Sequence, residues 1–108
     1  MIEQVFKNSQ TDRNLIEKVI ADENLHYNHM IFVKGEGLPE HFSNSNVYMT
    51  VVRGHLTIGL EELEHNEYNA GDILKIPQGV KMKVKNLHDE ILELIVIKAP
   101  APGNKPLL

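Results

Sequence analysis

Apolar positions along the chain fall into short runs separated by turn-forming residues. The run "HYNHMIFVKG" (residues 26–35) is β-branched and aromatic and stops at Gly-Glu-Gly. "VYMTVVRGHLTIGL" (47–60) is a second, and Gly54 reads as a bend that divides it into two strands. "NEYNAGD" (66–72) is turn chemistry, and "ILKIP" (73–77) is a short strand stopped by Pro77. In "VKMKVK" (80–85) strict alternation puts Val80, Met82 and Val84 on one face and Lys81, Lys83 and Lys85 on the other, so Met82 points inward. "ILELIVIK" (91–98) is apolar at nearly every position, as in a strand covered on both faces.

The flanks are read differently. In "RNLIEKVIADENL" (13–25), Leu15, Ile16, Val19 and Ile20 fit helical spacing and strand equally well. The tail "APAPGNKPLL" (99–108), with three prolines and a glycine, is expected to be irregular. Short strands with turn signals between them predict an all-β sandwich or barrel: residues 1–24 as amino-terminal strands or arm, 25–98 as the barrel, 99–108 as the tail of one domain.

Length and composition narrow this further. A chain of 108 residues has room for one core and little more. Hydrophobic residues at 42% and charged ones at 24% are those of an ordinary globular protein. With no cysteine there is no disulfide framework and no thiolate site. No apolar run approaches the ~20 residues of a membrane helix, and the first residues lack the layout of a signal peptide; the cytoplasm is the expected location, with no membrane partner. The net charge of -4 and scattered basic residues argue against nucleic acid, and the lysine row at 81, 83 and 85 is explained as the solvated side of a half-buried strand.

Two spacings carry a family resemblance. Gly35, five residues, His41-Phe42-Ser43, three residues, Val47, six residues and Gly54 form one frame. Gly71, five residues, Pro77-Gln78-Gly79, two residues, Met82, three residues and Asn86 form another, 16 residues further on. In this the chain resembles a small single-domain cupin, which implies a double-stranded β-helix, or jelly-roll barrel. Gly54, Gly71 and Gly79 stand where the backbone turns sharply, Pro77 stiffens a strand entry, and Asp72 is placed to bond its own turn.

The resemblance also implies a metal site that the residues do not supply. Metal-bearing cupins converge two first-motif histidines, a glutamate and a second-motif histidine on a divalent metal; the matching positions here are His41, Ser43, Val47 and Met82. Valine offers no donor, a neutral hydroxyl is poor and a thioether is soft, so no cofactor is expected on these positions. A rebuilt site would need further inward ligands. His26 and His29 lie three apart on one strand, hence on opposite faces, and His29 is the candidate to join His41; His55, His65 and His88 fall near turns or strand ends and are expected at the surface.

By parity Val47, Met49 and Val51 follow Ser43 inward, which predicts a mostly apolar interior with His41 as its polar member. A buried imidazole needs a partner, expected from Ser43, Asn44, Asn46, Tyr48 or water. The expected ligand-binding set is therefore His41, Ser43, Asn46, Val47, Met49 and Met82, in a metal-independent barrel that binds a small molecule or acts as a regulatory module. The competing readings are a metal-dependent cupin enzyme (oxygenase, isomerase or decarboxylase) using His41 with unrecognised ligands, and a metal-free acid–base enzyme with His41 oriented by Glu36 or Glu40. A homodimer is expected from the resemblance, with the apolar segment 15–20 suited to packing across a two-fold axis.

Overall fold

The structure is a computed structural model and describes residues 1–103. Among the described residues nine strands and no helix make up the regular structure: β1 (Leu15–Ala21), β2 (His26–Phe32), β3 (Gly37–Phe42), β4 (Val47–Arg53), β5 (His55–Leu60), β6 (Asn66–Asn69), β7 (Ile73–Ile76), β8 (Lys81–Lys85) and β9 (Leu92–Lys98). All pairings are antiparallel. They build a five-stranded sheet in the order β1-β2-β9-β4-β7 and a four-stranded sheet in the order β3-β8-β5-β6. The two sheets enclose one core, an all-β double-stranded β-helix.

The segment 13–22 resolves as strand: β1 pairs along β2, with a register shift between Lys18 and Ile20. A strand edge that pairs seven residues outweighs a helical spacing that only four apolar positions support. Residues 66–69, expected as turn, instead form the edge strand β6 beside β5, and the turn proper begins at Ala70. Asp72 closes it, its carboxylate accepting from the Asn69 backbone N–H at 2.8 Å.

Alternation places the core as expected. Val47, Met49 and Val51 from β4 meet Met82 and Val84 from β8, with Met30, Phe32, Leu92, Leu94 and Val96 closing the centre. Strand β9 departs from expectation. Its Leu92, Leu94 and Val96 are buried, but Glu93, Ile95 and Ile97 are only half-buried, so the strand is central in its sheet yet covered fully on one face. Of the lysine row, Lys83 is exposed and Lys81 and Lys85 are half-buried, with Lys81 paired to Glu40 and Glu62.

The frame residues do structural work. Gly54 turns β4 into β5 at φ 84°, and a Cβ there would lie 2.3 Å from the Ile91 carbonyl oxygen, so no other residue fits. Asn86 is fully buried; its amide donates to the carbonyls of Phe32 at 2.9 Å and Glu90 at 2.8 Å, and its oxygen accepts from the His88 N–H. One side chain thereby ties the end of β8 to the end of β2 and to the turn before β9. Of the tail, residues 104–108 lie outside the described residues.

Candidate functional site

Between the sheets lies a cavity of about 200 Å³ lined by Ile16, Asn28, Met30, Leu38, His41, Ser43, Val47, Met49, Met82, Val96 and Lys98. Its walls come from β1, β2, β4 and β9 on one side and from β3 and β8 on the other. Five of the six residues expected at a binding site, His41, Ser43, Val47, Met49 and Met82, line it; Asn46 does not. Asn46 instead accepts from the Gln78 N–H at 3.1 Å through its side chain and from the Ala99 N–H through its backbone, holding the rim together.

Ser43 lines the cavity but its hydroxyl is committed. Oγ donates to the Pro77 carbonyl at 2.8 Å and accepts from the Val80 N–H at 3.0 Å, while the Ser43 backbone bonds Val80 and Gly79. The residue clasps the end of β3 to the turn between β7 and β8. Ser45 similarly donates to the Pro100 carbonyl. The stretch "SNSN" is a polar rim whose groups are spent mainly on the backbone.

His41 stands opposite Met82 in the β3–β8 ladder. Its Nδ1 lies 2.8 Å from the Pro39 carbonyl oxygen, so it is the donor and Nε2 carries no protein partner among the described residues. The partner is thus a backbone carbonyl two residues back, a local bond that a register shift between Leu38 and His41 makes possible, rather than one of the neighbouring polar side chains.

The donor set does not fit a metal. At the four inherited positions there is one imidazole; Ser43 is engaged in the clasp, Val47 has no donor, and Met82 is a buried thioether packed into the core. Among the described residues no cluster of three or more His, Asp or Glu side chains could hold a metal ion.

His29 is not brought to His41. The inward positions of β2 are Asn28, Met30 and Phe32, so His29 faces the opposite side of the sheet, and His26 takes the inward parity. There His29, fully buried, sits between two carboxylates: Nδ1 is 2.9 Å from Glu17 and Nε2 is 2.6 Å from Glu93. Carboxylates accept, so each ring nitrogen that bears hydrogen has an acceptor in place. Glu93 continues to Arg53 at 2.9 Å and Arg53 to Asp12 at 2.8 Å. The amino-terminal arm lies over this network, with Ser9 donating to Glu17 through both its N–H and its hydroxyl. These bonds, first that of the Ser9 N–H and then that of His29, hold the Glu17 carboxyl below its ordinary value. His55 and His88 lie near the surface with their rings tilted against each other, centroids 4.6 Å apart.

Two polar cavity residues escaped the sequence reading. Asn28 is only 7% exposed, and its Oδ1 has no partner. Lys98 ends β9 at the same inward register, with the Asn44 amide oxygen 3.2 Å away as its contact. Burial, and then the Lys18 charge, hold the Lys98 ammonium below the ordinary lysine value. The signal was available: each is a polar residue at an inward position of a strand whose central inward positions are apolar.

No family model matches the chain. A relative from Methanocaldococcus jannaschii, an uncharacterised protein, is 37% identical over 103 residues, spanning 94% of this chain and 89% of the relative. Its crystal structure, described as an RmlC-like cupin family protein with a double-stranded β-helix fold, matches with a TM-score of 0.91 over 94% of each chain. A cupin superfamily protein from Desulfitobacterium hafniense matches at a TM-score of 0.73 and 12% identity, over 86% of this chain and 83% of that one. A double-stranded β-helix protein from Klebsiella pneumoniae matches at 0.75 and 16%, over 86% and 82%. The last two are likenesses of fold alone.

Proposed function

The chain belongs to the RmlC-like cupin family, and we propose that it is a metal-independent member whose barrel binds a small molecule in the cavity around His41. What supports the reading most is the fate of the inherited ligand positions: the cavity persists, yet Ser43 is a clasp and Val47 and Met82 are apolar lining. A pocket of mostly apolar walls with a few polar groups is suited to holding and orienting a small organic molecule. Among the cavity-lining residues there is no carboxylate to orient His41 as a general base, which favours binding over acid–base catalysis.

A homodimer in the cytoplasm completes the proposal. Apolar side chains left exposed at the amino-terminal end, Ile2, Val5, Phe6 and Ile16, support it as surface for a second copy to cover. Metal analysis of protein purified without a histidine tag is the test. The expected result is less than a tenth of an equivalent of any transition metal, by the donor chemistry above. A stoichiometric metal that a Glu substitution at Val47 does not affect but His41→Ala removes would overturn the reading.

A further inference from the structure

The polar members of the cavity are unbalanced in a way that specifies a ligand. Lys98 brings a half-buried ammonium to the lining, and among the described residues no carboxylate lies within ion-pair range of it. Lys18, exposed, pairs with Asn28 in the β1–β2 ladder, and His26 stands opposite Lys98 in the β2–β9 ladder, so the second charge near this end of the cavity is again a lysine. The nearby acid, Asp22, is committed to the backbone N–H groups of Asn24 and Leu25. A half-buried cation without an anion carries a desolvation cost, which an arriving anion offsets.

The remaining polar groups are acceptors. Among the described residues Asn28 Oδ1 is buried without a donor, and in the neutral tautomer that donates Nδ1 to Pro39 the half-exposed His41 Nε2 is an acceptor. An unmet buried acceptor calls for a ligand hydroxyl or N–H. The cavity volume of about 200 Å³ equals that of about six waters at roughly 30 Å³ each, which limits the ligand to about that many non-hydrogen atoms or slightly more.

We infer that the cavity takes a small hydroxylated carboxylate, its carboxylate on the Lys98 ammonium, its hydroxyl donating to Asn28 Oδ1, and its short chain against Met30, Met49 and Val96. The inference rests on the small-molecule-binding reading above and adds the chemistry of the ligand. Burial and the Lys18 charge hold Lys98 below its ordinary value, and burial followed by the Lys18 and Lys98 charges does the same to His26 against the pull of Asp22. Both shifts are led by burial, with neighbouring lysine charge adding to it.

The test titrates the full, untagged chain with 3-hydroxybutyrate, butyrate and 1,3-butanediol, followed by methyl NMR shifts of Met49 and Met82. The hydroxy acid is expected to bind about tenfold more tightly than butyrate and at least about tenfold more tightly than the diol. Lys98→Met should erase the preference for acid over diol, and Asn28→Ala the preference for hydroxy acid over butyrate. Lys98→Gln, which keeps a polar end without charge, separates charge from packing, and thermal melting checks that each variant folds. Equal binding of the acid and the diol, or a preference that survives in folded Lys98→Met and Lys98→Gln, overturns the inference and leaves the binding reading standing. If none of the three compounds and no xenon shifts either methionine, both fail together.

Discussion

The two faces of the five-stranded sheet handle buried polarity in opposite ways. On the outer face His29 is fully buried and fully matched, with both ring nitrogens bonded to Glu17 and Glu93, and Arg53 and Asp12 extending the pairing to the arm. On the inner face, one residue away along β2, Asn28 is almost as buried and unmatched, and Lys98 has an amide where an anion would serve it better. A buried charge whose partners are all present is part of the structure. One whose partner is missing is a place for something else. Histidine count alone would point to the wrong face, since the better-ordered histidine is the structural one.

The contrast predicts opposite signs for substitutions on the two faces. His29→Leu should be the most damaging, because it leaves Glu17 and Glu93 facing each other over an apolar side chain; a loss of about 3 kcal/mol is expected, read as a lower urea midpoint at unchanged slope. A loss under about 0.5 kcal/mol would mean that the network is not closed. Lys98→Met should do the reverse, with stability unchanged or raised by up to about 1 kcal/mol, as desolvation of an unpaired ammonium is relieved. A clear loss would show that the lysine already has its partner.

The smallest expected effect is one of pH. The Glu17 carboxyl is held below its ordinary value of 4.5, first by the Ser9 N–H and then by His29. A carboxyl lowered in the folded state contributes stability above its unfolded value, and that contribution is lost as pH falls through the folded one. Melting temperature in wild type should therefore fall, on acidification below about 4.5, more steeply than in Glu17→Gln. Parallel curves would remove Glu17 from the acid response.

Much of the barrel was legible in the sequence because its signals are local. Gly54 allows no side chain, "VKMKVK" alternates strictly, and the frame from Gly71 to Asn86 has turn and strand chemistry at each step. The segment 13–22 was not, because whether Leu15–Ala21 is strand depends on the edge of β2 being there to receive it. Residues 66–69 were misjudged for the same reason, since polar Asn66 and Asn69 are strand only in company with β5. At the site, parity correctly separated His26 from His29, but the choice of His29 as the partner of His41 was wrong, since Met30 and Phe32 put the parity of His26 inward. Ser43 was placed inward correctly, while its bonds to Pro77 and Val80 depend on a turn 34 residues away.

The Ser43 clasp makes conversion to a metal-binding barrel harder than its motif frame suggests. Ser43→His would detach β3 from the Pro77–Val80 turn before any second ligand existed to reward it, and Val47→Glu would place an unaccompanied acid in the core. Each step is downhill only if the others have already happened. The barrel therefore sits in its own basin of sequence space, and an engineer seeking a metalloenzyme here would have to change several positions at once.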